Sequence, residues 1–337
     1  MENIYVRNAL INLGLSLVSA IIFLAGIEIV LRMTGLVTVG PHPPLIFQSS
    51  DNPDISYELI PGIERGAYRS TVKTNALGFR SPEIDPTRPL AAVIGDSITF
   101  GYGVENEETL AARLEARMPA MQFLNTGVPG YQLSQERATY KEKIAELDPQ
   151  VIILVFFPND MDEKTGWLDE DGVLRAEGDD PKDRPALRCN PPEEGILSMI
   201  PGKCFLDRRS AVYVAMKKFT SMRAGKETLE REREESKENP DRDSITEKQI
   251  TAYGEALHAF AEEIDEGIEK YFVLWPDREL HALSRPRIRA LAEQEGFTVI
   301  DLYDTFGNEA KTLSWDTVHP HAETIEKAAE AIAESVQ

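Results

Sequence analysis

The sequence predicts an α/β protein built on a mostly parallel sheet and preceded by one N-terminal transmembrane helix. From Leu90 onward, short apolar runs alternate with helical stretches, which is typical of a parallel sheet buried on both faces. A long apolar run also lies close to the N-terminus. Apolar residues make up 42% and charged residues 28% of the 337-residue chain, which excludes a disordered or collagen-like protein.

The charge balance argues against nucleic acid as a partner. The chain carries 57 acidic and 36 basic side chains, a net charge of −21, whereas phosphate recognition needs a concentrated basic surface. Two cysteines exclude a disulfide-dense scaffold and a four-thiolate zinc site. The length fits one large domain or two smaller ones.

The apolar run extends from Ala9 to Leu31 and predicts an anchor helix at 9–32 after a short tail at 1–8. At about 1.5 Å per residue, a helix of this length crosses a hydrocarbon core of roughly 30 Å. Glu28 and Arg32 are four residues apart near its end and pair at the interface. A cleaved signal peptide and a buried soluble helix are the alternatives, although a signal peptide has a shorter apolar core. Basic groups on both sides leave the orientation open.

The segment 33–80 is rich in Pro and Gly and is predicted to be a juxtamembrane stalk that packs along the domain, with little regular helix. The domain itself is predicted at 81–337, with an insertion at about 161–244 that interrupts the strand–helix alternation. The end of this insertion carries mixed charge and is interpreted as a solvated helix or loop.

Five strands and four helices are predicted in the domain from these periodicities. The strands are Leu90–Ile94, Met121–Leu124, Val151–Phe156, Tyr271–Trp275 and Thr298–Leu302. The helices are Glu107–Met118, Ser134–Leu147, Arg285–Glu295 and about Ala322–Val336.

Four short polar segments fall at strand ends or before the last helix, where an open α/β sheet presents its ligand crevice. They are Gly95–Thr99, Asn125–Tyr131, Pro158–Asp160 and Asp316–Pro320. The first offers a serine at a strand-to-loop turn, the second a glycine whose backbone N–H faces a ligand, and the third an amide donor. The fourth places an acid and an imidazole three residues apart. Each segment alone is a weak signal, but their order and placement together favour a shared site in which a serine nucleophile precedes an acid–base pair.

These four segments resemble the blocks of the SGNH/GDSL hydrolase superfamily, over roughly Asn75 to Val336. The resemblance implies a three-layer α/β/α sandwich of the flavodoxin-like type around the sheet. It also identifies Ser97 as the nucleophile and Ser97, Gly130 and Asn159 as oxyanion-hole donors, with Gly127 as the alternative glycine. The stretch Thr74–Arg80 is similar to one that precedes the serine block in membrane-anchored bacterial members. Phe157 departs from the family, which often has glycine there.

The final block supplies Asp316 and His319, and together with Ser97 they are predicted to form a catalytic triad. Serine needs a base within hydrogen-bond reach, and a histidine of ordinary pKa accepts and returns a proton near neutral pH. Asp316 then holds the imidazole in the required tautomer. No cofactor or metal is predicted, since no Cys or further His lies near His319 and His321.

A disulfide between Cys189 and Cys204 is predicted around a Pro- and Gly-rich loop, with two unlinked core residues as the alternative. It requires an oxidising compartment and contributes roughly 3 kcal/mol by loop closure. His258 and His281 are predicted to be solvent-facing or capping groups. Trp315 is predicted to be an ordinary core or rim aromatic residue, with a place in the acyl pocket as the alternative.

Three functions follow. The first is a membrane-anchored esterase acting on O-acetyl or other small acyl esters of envelope glycans. The second is an O-acyltransferase that works beside a membrane-bound O-acyltransferase, and the third is a non-catalytic subunit of a membrane complex. In each case the chain is predicted to be single-pass, with its domain on the extracytoplasmic (periplasmic or cell-surface) side and with no nucleic-acid partner.

Overall fold

A computed structural model of the chain describes residues 2–34, 37, 45–161, 166–169, 172, 174–175 and 196–336. Contacts between residues divide the chain into two compact units. One comprises 1–42 and 180–224, and the other comprises 43–179 and 225–337. We call the first the helical unit and the second the sheet unit.

The described residues form eleven strands and ten α-helices. The strands are β1 (Phe47–Ser49), β2 (Tyr57–Leu59), β3 (Glu64–Ala67), β4 (Ser70–Lys73), β5 (Leu90–Ile94), β6 (Gln122–Asn125), β7 (Val151–Phe156), β8 (Trp167–Leu168), β9 (Leu174–Arg175), β10 (Glu269–Leu274) and β11 (Thr298–Asp301). The helices are α1 (Glu2–Met33), α2 (Ser97–Phe100), α3 (Leu110–Arg117), α4 (Leu133–Thr139), α5 (Lys203–Arg209), α6 (Ala211–Glu238), α7 (Glu247–Ala261), α8 (Arg285–Gln294), α9 (Tyr303–Phe306) and α10 (Ala322–Ala333). Helix α4 continues as a π-helical turn at Tyr140–Ile144, and a short 3₁₀ turn follows β7 at Pro158–Met161.

Five strands of the sheet unit pair in the order β11-β10-β7-β5-β6, and every pairing is parallel. Counted along the chain, this is a 2-1-3-4-5 order that reverses direction between β5 and β7. Parallel sheets of this order bind ligands beyond the carboxyl ends of the strands at that reversal. The predicted parallel sheet is therefore confirmed, and its strand bounds agree within two residues.

Side chains of the central strands alternate between two apolar clusters, one on each face of the sheet. Ala91 and Val93 of β5 pack with α3 and α10, whereas Ala92 and Ile94 pack with α4, α7 and α8. Because successive residues of a strand point to opposite faces, a strand covered on both sides is apolar throughout. This arrangement is a three-layer α/β/α sandwich, as predicted.

Two antiparallel hairpins, β1–β2 and β3–β4, precede the sheet and belong to the same unit. Their apolar side chains form a third cluster with Phe100, Val128 and Tyr131, which lie in the segments after β5 and β6. The hairpins thus support the loops at the carboxyl edge of the sheet. As predicted, residues 45–80 contain no α-helix.

In the helical unit, α1 is a single helix, and its part from Leu10 to Met33 is long and apolar enough to cross a membrane. A signal sequence is also a long apolar helix near the N-terminus, so length and composition alone fit both an anchor and a signal sequence. The helix includes residues 2–8, which the sequence placed in a separate tail, because nothing in that short stretch breaks helical hydrogen bonding. The boundaries of anchor, stalk and insertion stay predictions about organisation.

Candidate active site

Ser97 lies three residues beyond β5, at the first position of the short helix α2. The turn before it requires glycine, because a Cβ on Gly95 would lie 2.3 Å from Oγ1 of Thr99 and 3.1 Å from the Val155 carbonyl oxygen. Asp96 caps the helix, and its Oδ1 accepts a hydrogen bond of 2.8 Å from the Ile98 N–H. The cap fixes where the serine hydroxyl emerges from the edge of the sheet.

The structure brings Ser97, His319 and Asp316 into one hydrogen-bonded chain. Oγ of Ser97 lies 3.0 Å from Nε2 of His319, although the two residues are 222 positions apart. Nδ1 of the same imidazole lies 3.0 Å from Oδ2 of Asp316. These distances allow a proton to pass from the hydroxyl to the ring while the carboxylate holds the opposite nitrogen.

A tight turn fixes the orientation of the imidazole. Oδ1 of Asp316 accepts hydrogen bonds from the backbone N–H groups of Val318 (2.7 Å) and His319 (2.8 Å), so one carboxylate binds both the ring and the backbone of the histidine. Partial burial raises the pKa of Asp316, but the hydrogen bonds and charge of His319 outweigh it, and the pKa falls to about 2. The carboxylate is therefore ionised over the whole physiological range.

Tyr102 covers one face of His319 and was missed by the sequence analysis. The two rings are stacked, with centroids 3.9 Å apart and planes inclined by 18°. Tyr68, from the tip of the β3–β4 hairpin, packs on Tyr102 at 4.1 Å. The neighbouring Gly103 has φ +81°, and a Cβ there would lie 2.4 Å from Leu313 and 2.8 Å from Trp315. Close packing of these aromatic rings limits the directions in which the imidazole can turn.

Asp96 joins the predicted nucleophile to the predicted amide donor. Its Oδ2 accepts a hydrogen bond of 2.8 Å from Nδ2 of Asn159 and lies 3.2 Å from the Ser97 hydroxyl. Asp96 is 1% exposed, whereas Ser97 and Asn159 are partly exposed at the edge of the sheet. The structure thus places Asn159 beside Ser97 across the reversal between β5 and β7. Phe157 stands where the resemblance to the family leads one to expect glycine, two residues before Asn159. Its N–H donates to Oδ2 of Asp160 and closes the 3₁₀ turn.

The two candidate glycines differ in backbone conformation and in contacts, and Gly130 is the one whose position requires glycine for its φ angle. Its φ of +81° is in the left-handed region, and a Cβ would lie 2.9 Å from the Tyr57 hydroxyl. That hydroxyl donates to the Pro129 carbonyl at 2.8 Å and so supports the loop. The N–H of Gly127 instead donates to Oδ1 of Asn125 at 3.1 Å. Gly127 has a packing role, because a Cβ there would lie 2.3 Å from the Phe100 nitrogen.

Arg80, the last residue of the stretch Thr74–Arg80, holds the segment that follows the serine. Its buried guanidinium donates to four backbone carbonyl groups and to the Asn106 side chain. The four carbonyl groups belong to Thr71, Phe100, Gly101 and Val104. Arg80 therefore connects the β3–β4 hairpin to residues 100–104, the loop that carries Tyr102. Nothing in the sequence around Arg80 indicates these hydrogen bonds.

The other histidines have two different environments. His258 is exposed, as predicted, and its Nδ1 lies 3.0 Å from Oε2 of Glu295. The prediction for His281 was wrong, since this residue is 2% exposed and its nitrogens each lie 3.1 Å from a carboxylate, of Asp243 and of Asp277. Asp243 comes from a distant part of the chain, so the sequence around His281 does not reveal the pair.

Within the described part of the chain, one group of three side chains has atoms close enough together to hold a metal ion, namely Asp243, Glu279 and His281. Both oxygens of Asp243 already accept hydrogen bonds, from Ser284 and the Ile245 N–H. We therefore interpret the group as a buried ion pair. Cys204 lies in α5, whereas Cys189 lies outside the described residues, so the disulfide stays a prediction.

No protein-family model matches the chain, and no curated protein matches it. Among solved structures, a lipase/acylhydrolase from Enterococcus faecalis is similar over 74% of this chain and 95% of its own, with 14% identity and a TM-score of 0.41. A putative lipolytic protein of the G-D-S-L family from Desulfitobacterium hafniense matches over 73% and 99%, with 12% identity and a TM-score of 0.42.

An acetyl xylan esterase, AlAXEase, is similar over 74% of this chain and 100% of its own, with 12% identity and a TM-score of 0.41. The structures to which this chain is similar thus include a lipase/acylhydrolase, a putative lipolytic protein of the G-D-S-L family and an acetyl xylan esterase.

Proposed function

We propose that the chain is an SGNH/GDSL-type serine hydrolase that cleaves acyl esters. The observation that carries this proposal is the hydrogen-bonded chain from Ser97 through His319 to Asp316. Its members come from the beginning and the end of the sheet unit, and they meet at the carboxyl edge where such sheets bind ligands.

In the proposed reaction, the Ser97 oxygen attacks the ester carbonyl carbon while its proton passes to Nε2 of His319. The negative charge that develops on the carbonyl oxygen is stabilised by the N–H groups of Ser97 and Gly130 and by the Asn159 amide. The C–O bond to the alcohol then breaks, and His319 returns the proton to the departing oxygen. Water, activated by the same imidazole, releases the acid and regenerates the serine.

Asp316 and Tyr102 act on the imidazole rather than on the substrate. The ionised carboxylate keeps the proton on Nδ1 of His319, so that Nε2 is the free base, and it stabilises the imidazolium that forms during attack. Stacking of Tyr102 against the ring keeps Nε2 directed at the hydroxyl. Burial, followed by the charge of Asp316, raises the pKa of Tyr102, and the phenol is therefore a neutral support.

The finer proposal is a membrane-anchored enzyme acting on O-acetyl or other small acyl esters of envelope glycans. Helix α1 supports the anchor by its length and composition, and the resemblance of Thr74–Arg80 to anchored bacterial members supports the extracytoplasmic side. Transfer of the acyl group to a sugar hydroxyl in place of water is the second candidate. It uses the same acyl-serine, and a tether favours it by raising the local concentration at a membrane-bound O-acyltransferase.

The test is covalent labelling of the full chain by a fluorophosphonate, together with turnover of p-nitrophenyl acetate. Ser97→Ala is expected to abolish labelling and to lower kcat on the order of a million-fold, because the nucleophile is lost. The control is Ser134→Ala, which removes an exposed hydroxyl from α4 and is expected to change neither readout. A well-folded wild-type chain that is not labelled would favour the non-catalytic subunit. Acyl transfer that appears only with an added glycan would favour the transferase.

A further inference from the structure

The helical unit contains a basic segment within an acidic protein. Residues 197–224 include six basic side chains and one acidic side chain. The net charge of this stretch is therefore +5, in a chain whose net charge is −21. The basic residues are Lys203, Arg208, Arg209, Lys217, Lys218 and Arg223. The single acidic residue, Asp207, is paired with Lys217. We call residues 197–224 the juxtamembrane segment.

The same segment exposes large apolar side chains. Met199 is 80%, Phe205 68%, Met216 47% and Phe219 67% exposed. Elsewhere in the described residues outside α1, three other large apolar side chains are exposed. All three are leucines of the sheet unit. Met216, Phe219 and Arg223 are spaced by three and four residues, so they share one face of α6. Exposed phenylalanine and methionine beside a cluster of basic groups mark an interaction surface rather than ordinary solvated helix.

The segment is attached to the last turns of α1. The Glu28 carboxylate accepts hydrogen bonds from the N–H groups of Ala211 (2.8 Å) and Val212 (3.0 Å), and from the Ser210 hydroxyl (3.1 Å). Arg32 donates to the Arg209 carbonyl at 2.5 Å. Glu28 therefore caps the beginning of α6, and α6 begins beside the last turns of the apolar part of α1.

We infer that the juxtamembrane segment is a second membrane contact, lying on anionic lipid headgroups with Phe205 and Phe219 inserted at the interface. The inference rests on the proposal that α1 spans a membrane, because the hydrogen bonds to Glu28 then hold the segment at the bilayer surface. Basic groups are attracted to anionic lipid, and aromatic and long apolar side chains enter the boundary between headgroups and acyl chains. Lipid is favoured over a protein partner because α1 itself brings a bilayer to this surface.

The experiment places tryptophan in the full-length protein and measures quenching by brominated lipids in nanodiscs. Phe219→Trp reports on the juxtamembrane segment and Phe23→Trp, in α1, reports on the span. The matched control is Leu283→Trp, which replaces a side chain that is 54% exposed in the sheet unit. The wild-type signal, which comes from three native tryptophans, is subtracted. Nanodiscs contain phosphatidylcholine alone or mixed with phosphatidylglycerol.

We expect quenching at positions 219 and 23 in the anionic nanodiscs, and none at 283. Adding Arg208→Gln, Arg209→Gln and Arg223→Gln to the Phe219→Trp chain is expected to shift the docking equilibrium away from the membrane. The expected change is on the order of fivefold for each charge removed. Quenching at position 23 is expected to be unaffected by these three changes, since they leave α1 intact.

Three results would overturn the inference. Quenching at position 23 without quenching at 219 would leave the anchor standing and remove the second contact. No quenching at either position would remove the anchor and, with it, the surface contact that depends on it. Quenching at 219 that is equal in neutral and anionic nanodiscs, and insensitive to the arginine changes, would contradict the recognition of anionic lipid. Labelling of Ser97 does not enter any of these outcomes, so the enzymatic proposal is tested separately.

Discussion

Two histidines of the sheet unit each contact an aspartate close to them in sequence, yet their surroundings give them different chemistry. His319 has Asp316 at one nitrogen and the Ser97 hydroxyl at the other, both at 3.0 Å. His281 has a carboxylate at each nitrogen, of Asp277 and Asp243, both at 3.1 Å. A hydroxyl both donates and accepts hydrogen bonds, whereas an ionised carboxylate only accepts them.

The second partner therefore decides whether the ring retains or transfers a proton. Burial lowers the pKa of His281, but the hydrogen bonds and charges of Asp277 and Asp243 outweigh it and raise the pKa to about 9. His281 is thus an imidazolium held between two acceptors at neutral pH. The partner of Nε2 in His319 is a hydroxyl, which is able to give up its proton to a neutral ring. An Asp–His pair in sequence therefore does not identify a base.

The largest expected effect separates the two histidines directly. His319→Gln is expected to lower kcat for p-nitrophenyl acetate on the order of a million-fold, because the base is lost. His281→Gln is expected to leave kcat unchanged and to lower the free energy of unfolding by at most about 3–5 kcal/mol, since the partly buried carboxylates of Asp243 and Asp277 lose their counter-ion. Kinetics and urea unfolding of both variants at neutral pH measure the difference. Comparable losses of kcat in the two variants would contradict the different roles assigned to His319 and His281.

The next effect concerns the aspartates. Asp316→Asn is expected to lower kcat by about 10⁴-fold while preserving the fold, because an amide at this position favours the wrong tautomer of the imidazole. Asp277→Asn is the matched change at the other histidine and is expected to affect unfolding alone. A kcat for Asp316→Asn within tenfold of the wild type would rule out the assigned role of this carboxylate.

The smallest effect is the pH dependence of stability. His281 faces Asp243, Asp277, the Glu279 carboxylate and the Tyr303 ring, and its pKa in the folded state is about 9 against an ordinary value of 6.5. Its contribution is complete below the ordinary pKa and declines as the pH rises from there through about 9, because only the folded state retains the proton in this window. The slope is at most about 1.4 kcal/mol per pH unit.

This decline is measured by urea unfolding between neutral and alkaline pH, with His281→Gln as the control that lacks it. Equal slopes for the two proteins would show that His281 is not the group that titrates. On the acid side, Asp316 retains its charge down to about pH 2. Loss of activity on mild acidification is therefore not expected to come from protonation of this carboxylate.

Much of the fold follows from local sequence. The strands Leu90–Ile94 and Val151–Phe156 are almost continuously apolar and are bounded by turn residues. This combination is typical of a strand that is buried on both faces. The spacing of Asp316 and His319 places them in one turn for the same local reason. The sequence did not reveal the packing of Tyr102, Arg80 and Tyr57 around the site, because their partners lie on other elements of the chain.

Local sequence predicts the strand–helix alternation, the apolar N-terminal helix and the polar segments at the strand ends, because each depends on residues a few positions apart. The roles assigned to Ser97, Gly130 and Asn159 come instead from the resemblance to the SGNH/GDSL superfamily. Three features needed the tertiary structure: Ser97 lies beside His319, the N–H of Gly127 donates to Asn125, and His281 is buried. The contact between Ser97 and His319 joins residues distant along the chain, and it forms only because the parallel sheet brings the ends of its strands to one edge.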